Sequence, residues 1–199
     1  LSYGQTDFRH GSVITHGNDT VRGFVDFRQG TASYRSCDFR QAEDAQSTTY
    51  YPDDIIGYGF LNDKYFQSRK IDSNDSKPVF MEVVVKGGAA SLYRHEHTYF
   101  VEKDHQGLHA LRDESEITYV NGRLVSRKSN EFIGISNMLF FDCIEIRKDI
   151  QRLQLSERKL TDLVEAYNKC RNEPSTTFKA SKPWLKTSVT IAAGVNAPA

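Results

Sequence analysis

Residues 79–94 read Val79-Phe80-Met81-Glu82-Val83-Val84-Val85-Lys86-Gly87-Gly88-Ala89-Ala90-Ser91-Leu92-Tyr93-Arg94, and the fold turns on this stretch. Val79 to Lys86 is β-branched and apolar, which suits a buried strand. Gly87-Gly88 permits a bend or a bulge, and Ala89 to Arg94 resumes the strand. Thr98 to Lys103 follows across His95-Glu96-His97. Asp104 to Gly107 reads as a turn, and Leu108 to Arg112 returns. Strands joined by connections this short run antiparallel.

Working back toward the N-terminus, the same grammar recurs. Ser12 to His16 is a short run, Gly17-Asn18-Asp19 has turn chemistry, and Thr20 to Arg28 resumes. Val21, Gly23, Val25 and Phe27 share one face of that run, and Phe24 falls out of the pattern. A turn before a period-two run is a hairpin signal. Tyr34 to Arg40 reads as a third strand and residues 41–49 as a loop. Tyr58 to Leu61, a turn at Asn62-Asp63, and Lys64 to Ile71 make a further hairpin, followed by a polar linker to Pro78.

Toward the C-terminus, Asp113 to Asn130 is polar, with Asn121-Gly122 as a hairpin tip. The period then changes. Phe132, Ile135, Leu139, Ile146 and Ile150 fall at helical spacings, and Gly134 and Ser136 weaken the first turn, so the stretch reads as two short helices. Ser156 is an N-cap for a further helix with Leu160, Leu163, Val164 and Tyr167 as its apolar stripe, which Pro174 ends. The expected fold class is therefore α+β. An antiparallel, partly barrel-like strand domain occupies 7–130, a helical pair packs on it over 131–174, and residues 1–6 are a signal remnant or a free N-terminus. Residues 175–199 form a linker and a last amphipathic strand.

In that last segment Leu185, Thr187, Val189, Ile191, Ala193 and Val195 alternate with Lys186, Ser188, Thr190, Ala192 and Gly194 behind Trp184. A membrane β-strand needs about nine to eleven residues with one lipid-facing side and an aromatic at the interface. The segment fits that description, and it fits an edge strand of the preceding domain equally well.

The chain has 199 residues, enough for one good core. Lys+Arg and Asp+Glu are both 26, so no net positive charge draws it to nucleic acid. His95-Glu96-His97 is the candidate metal cluster. On a strand His95 and His97 point to one side, with His105 or His109 to complete the set. The turn-like context instead favours a polar hairpin tip, so no metal and no cofactor are expected. Asp53-Asp54 and Glu43-Asp44 are adjacent carboxylates that point apart on a strand, unlike a pair of acid and base. Asp53 and Asp54 are better read as part of the turn beside Pro52. Gly87-Gly88-Ala89-Ala90 is followed by no Lys-Ser/Thr and opens no helix, so it is not a phosphate loop. No catalytic residue is expected. Tyr50, Tyr51, Tyr58, Tyr65 and Phe66 line a sugar or peptide groove or fill a core, and core is the favoured reading.

Of the three cysteines, Cys37 lies in a strand-like run as a small core residue. Cys143 and Cys170 flank the helices. They would be bridged in an exported protein and remain buried thiols in a cytosolic one. The apolar neighbours Phe140, Phe141 and Ile144 make Cys143 an inert sulfur rather than a nucleophile.

Several motifs together carry a resemblance. Gly17-Asn18-Asp19-Thr20-Val21-Arg22-Gly23-Phe24-Val25-Asp26 and Tyr51-Pro52-Asp53-Asp54-Ile55-Ile56-Gly57-Tyr58 are the first two. Phe80 to Gly87 with Ala90-Ser91-Leu92-Tyr93, and Asp142-Cys143 with Tyr167-Asn168-x-Cys170, are the others. The chain resembles the exported N-terminal region of porin-T-like outer-membrane β-barrel proteins of Gram-negative bacteria. The resemblance implies a signal peptide upstream, a domain at the periplasmic face of the outer membrane, and a barrel beginning near Trp184. It supplies no catalytic residues. The expected function is a non-enzymatic accessory or recognition domain. Its partner would be its own membrane β-barrel or another envelope protein, with membrane contact only through the C-terminal segment. Two alternatives stand beside it: a metal-dependent hydrolase using His95, Glu96 and His97, and a glycan- or peptide-binding domain. Export would join Cys143 to Cys170.

Overall fold

The computed structural model describes residues 6–28, 30–72, 77–104, 106–113, 115–120 and 123–178. The ribbon behind Trp184, the tip Asn121-Gly122 and His105 lie outside the described residues.

Ten strands follow one another across a single antiparallel sheet. They are β1 (Phe8–Ile14), β2 (Thr20–Asp26), β3 (Cys37–Arg40), β4 (Thr48–Tyr50), β5 (Gly57–Phe60), β6 (Tyr65–Arg69), β7 (Val79–Gly87), β8 (Ala90–His95), β9 (Thr98–Lys103) and β10 (Leu108–Leu111). Two more, β11 (Ser115–Val120) and β12 (Arg123–Lys128), pair with each other apart from it. Three helices follow: α1 (Glu131–Leu139), α2 (Arg147–Gln151) and α3 (Glu157–Cys170). A last short strand, β13 (Ser175–Thr177), returns to β7 and brings the main sheet to eleven strands. The order is β10-β9-β8-β7-β6-β5-β1-β2-β3-β4. The sheet is open, ending in β10 and β4, and does not close into a barrel.

Short turns set most of this order. Asn18 and Asn62 take φ of 67° and 58°, the left-handed region that Asn tolerates better than most residues. Glu96 takes φ 53° in the two-residue connection between His95 and Thr98, which face each other across β8 and β9. The pairing of β1 with β5 is non-local and aligns Val13 with Tyr58. Tyr34 to Arg40 is not one strand: a 3₁₀ turn spans Gly30–Tyr34, and pairing starts at Cys37. That turn folds Tyr34 into the core, where Tyr58 Oη donates to the Ser33 carbonyl at 2.6 Å. The expected loop 41–49 contains the start of β4, and the expected linker after Pro174 contains β13.

Directly opposed residues share a face, so the registers define rows across the sheet. One row runs Val21, Val13, Tyr58, Phe66, Glu82, Arg94, Tyr99, Leu111. Its two ends belong to different cores. On the β1–β6 side the face curls around Val13, Val25, Phe39, Ile55, Tyr58, Phe66 and Phe80. Gly23 makes that curl possible: a Cβ there would stand 2.4 Å from the Arg40 carbonyl and 2.7 Å from the Phe39 ring. On the β7–β10 side the same face is covered by the helices, through Phe132, Phe140, Ile146, Ile150, Leu160, Leu163, Val164 and Tyr167. The opposite face carries Met81, Val83, Tyr93 and Phe100.

The bulge in β7 falls between Val83 and Val85 rather than at the glycines. It turns Val84 and Val85 both into the helix-covered core. The two short helices and the further helix are α1, α2 and α3, and the break between the first two comes after Leu139. Gly134 sits inside α1, and Ser136 Oγ bonds back to the Phe132 carbonyl at 2.7 Å, an arrangement a helix tolerates. Ser156 occupies the N-cap of α3 in an extended conformation, but its side chain makes no capping bond.

Asn168 joins the helical layer to the sheet. It is 0% exposed. Its Oδ1 accepts from the Ala89 and Ala90 amides at 3.0 Å each, and its Nδ2 donates to the Ala90 carbonyl at 2.8 Å. Gly87 leaves the room: a Cβ there would lie 2.3 Å from Asn168 Nδ2. Asn168→Ala strips two buried amides of their acceptor, at about 1–3 kcal/mol each. We expect urea denaturation to show a loss of at least about 2 kcal/mol. A change within about 0.5 kcal/mol, the range of ordinary surface substitutions, would remove Asn168 from this role.

Candidate functional site

The row described above places one carboxylate and one guanidinium, Glu82 and Arg94, in the middle of an otherwise apolar face. They meet at the seam between the two cores. Glu82 is 5% exposed and accepts from Arg94 Nη2 at 2.5 Å. Lys64 Nζ approaches the other Glu82 oxygen at 3.5 Å. Arg94 Nη1 reaches Glu157 at the start of α3 at 2.8 Å, which ties sheet to helix. Burial works against the Arg94 charge, but the Glu82 carboxylate outweighs it and holds the guanidinium protonated well above its ordinary range. Arg94 Nε is buried without a partner.

A cleft of about 340 Å³ opens over this seam. Phe27, Phe60, Phe66 and Tyr34 supply its aromatic lining, Arg28, Lys64, Glu82, Arg94 and Glu96 its charged lining, and His97 stands beside them. Phe27 meets Phe60 edge-on at 5.4 Å, and Arg9 lies over the Phe27 ring at 3.6 Å. Phe66 stacks on Tyr58 at 4.8 Å. Arg28 is held at the rim by Asp26 at 3.1 Å, by Ser36 at 3.3 Å and by Asp38.

Two further polar clusters hold the fold. On the opposite face Glu102, 4% exposed, receives Arg69 through both terminal nitrogens and the Tyr93 hydroxyl at 2.9 Å. Lys86 Nζ donates to that hydroxyl at 3.1 Å. Burial alone would raise the Glu102 pKa, yet the bonds from Arg69 and Tyr93 bring it below the usual carboxylate range. The carboxylate is held as an anion and fully engaged, unlike a general base. Beneath the helices Asp142 accepts from Lys103 at 3.1 Å, Tyr167 at 3.1 Å and Arg171 at 2.5 Å. Beside it, Cys143 and Cys170 form a disulfide with Cα atoms 6.4 Å apart. Cys37 is buried and free, and burial pushes its thiol up to about 12.

The residues singled out in the sequence disperse. His95 packs on Tyr34 at 5.0 Å, while Glu96 and His97 sit exposed at the mouth of the cleft. Among the described residues the one set of three metal-type ligand atoms is Cys143, Glu145 and Cys170, and its two sulfurs are bonded to each other. Asp54 caps its own turn by accepting from the Tyr51 amide at 2.7 Å, and the Asp53 carbonyl meets His16 at 2.8 Å. The aromatic run divides: Tyr58 and Phe66 are core, Tyr65 faces the other side of the sheet beside Phe178, and Tyr51 is 57% exposed. The seam itself escaped sequence reading. Its signal was a single carboxylate, Glu82, inside the apolar run Val79–Val85, which demands a buried partner.

No family model, curated protein or solved structure matches the chain. Among the described residues no helix is long and apolar enough to cross a membrane, which leaves β-strand spans unaddressed.

Two outcomes are expected. Closing the loop between Cys143 and Cys170, 27 residues apart, stabilises by about 3.5 kcal/mol in the chain-entropy model. Thiol titration under denaturing, non-reducing conditions should therefore count one sulfhydryl; three would mean no bridge. Burial lowers the His95 pKa from its ordinary 6.5, with Glu96 opposing. The unfolded chain thus takes up the proton more readily, and stability falls as pH drops below about 6.5. His95→Gln should flatten that fall in melting temperature against pH; an unchanged profile would show that His95 contributes none of it.

Proposed function

We propose that this chain is a non-enzymatic recognition domain of an exported protein, standing at the periplasmic face of an outer-membrane β-barrel that continues from its C-terminal side. The Cys143–Cys170 disulfide carries the export half of this reading, because such bridges persist in oxidising compartments and are rare in the cytosol. The resemblance of the turn and helix motifs to porin-T-like proteins supports the placement. The recognition half rests on the cleft over Glu82 and Arg94, a concave site with aromatic walls and a few fixed charges, the usual make-up of a small-ligand pocket. Its charged groups are engaged in ion pairs rather than held ready to move protons, which favours binding over chemistry.

Fractionation of the native host tests this directly. The intact protein should sediment with the outer membrane, and an impermeant thiol reagent applied after reduction of the periplasm should label Cys170, the less buried of the two sulfurs. Recovery in the cytosolic fraction with reduced cysteines would end the proposal.

A further inference from the structure

The cleft shows which partner chemistry it suits, and this inference rests on its reading as a recognition site. Its unfilled hydrogen-bonding capacity lies on the donor side. Glu82 already faces two cations, Arg94 at 2.5 Å and Lys64 at 3.5 Å. Lys64 Nζ has three donors and that one long contact. Arg94 Nε is also unpartnered but lies buried, out of a guest's reach, and His97 stands exposed at the mouth. Arg28, by contrast, is satisfied by Asp26, Asp38 and Ser36. The acceptor left at the mouth is Glu96, which is exposed to water and weakened by screening. A cationic guest is disfavoured: the buried carboxylate is occupied, and Arg9 already covers one face of Phe27. Aromatic rings from Phe27, Phe60, Phe66 and Tyr34 form the apolar part of the lining, with Gly30, Thr31 and Ser33 beside them. At about 340 Å³ the space is near the lower end for small-molecule pockets.

We infer that the cleft binds a small apolar carboxylate, of the size and kind of a peptide's C-terminal aromatic or branched residue. Its carboxylate sits against Lys64 Nζ, and its side chain lies among Phe27, Phe60 and Phe66. Binding desolvates the Lys64 ammonium and gives it the charge-assisted bond that Glu82 supplies only at long range.

Calorimetric titration of the full chain at low salt with N-acetyl-phenylalanine tests this, with its primary amide and inorganic phosphate as companions. The acid should bind saturably, and the amide about tenfold more weakly, as expected for loss of one charge-assisted bond. Lys64→Gln should bring the acid down to the affinity of the amide and leave the amide unchanged. Phe60→Ala should weaken both. Melting curves establish that each variant is folded, and Lys64, on the rim, is the one that should fold unaltered. Equal affinity for acid and amide overturns the inference, as does an unaltered acid affinity in Lys64→Gln. Phosphate binding as tightly as the acid overturns its apolar half. Absence of saturable binding overturns it entirely. Cellular fractionation is independent of any ligand, so failure here leaves the export reading standing or falling on its own result.

Discussion

A single amide side chain determines how the two layers of this molecule meet. Asn168 lies fully buried on α3 and satisfies both amides and one carbonyl at the start of β8. These groups lie buried where the chain turns from β7 into β8. Were they unpaired, the turn would carry a penalty comparable to several lost core contacts. The helix is therefore held at one height and one rotation over the sheet. Its flanking residues follow from that placement: Tyr167 falls over Asp142, and Cys170 falls beside Cys143. The bridge and the Asp142 hub then hold the α1–α2 connection against the same helix.

Fixing α3 also explains the seam. The helix begins at Glu157, and its height over the sheet brings that carboxylate to Arg94. Arg94 is thereby shared between a sheet carboxylate and a helix carboxylate. On the side away from the helices, the face curls over its own hydrophobic residues instead of receiving a second helical layer. One row of residues thus passes from a core closed by sheet curvature to a core closed by helices. At the changeover the helical cover arrives through Glu157, and Glu82 is left 5% exposed. The ion pair stands there because a buried pair needs several partners to repay its desolvation, and the seam supplies them from the β5–β6 connection, β7, β8 and α3.

What was legible in the sequence was local. Hairpins announced themselves through Gly17-Asn18-Asp19, Asn62-Asp63 and His95-Glu96-His97, because turn chemistry acts over a few residues. The stripe of α3 was legible for the same reason. What depends on distant pairing was not. Nothing near Gly57 says that β5 will lie beside β1, and the face of each residue after Val83 is displaced by a bulge that no glycine marks. The opposition of Glu82 to Arg94 follows from that register. Asn168 was within reach but was not singled out: it continues the Leu160, Val164 spacing by another four residues, which puts a polar side chain on the buried face of the helix. Gly87-Gly88 was read as a place where backbone bends, whereas its smallness admits Asn168 and Glu173.

The exit of the chain is built on the same strand that carries the seam. After α3, Asn172 turns through φ 56°, and the Pro174 carbonyl accepts from the Gly88 amide at 3.0 Å. β13 then pairs with β7 along Val85–Gly87, while β6 holds the same edge along Val79–Val83. The two partners change over where the bulge lies. β7 therefore has β8 on one side and a composite of β6 and β13 on the other, with α3 above it. Thr177 is tied to Glu165 of α3, and the Phe178 amide bonds the Val84 carbonyl at 3.0 Å. Any load on the chain beyond Phe178 passes first into β7, the most enclosed strand, and not into a frayed terminus. The cleft over Glu82 is carried on that same strand.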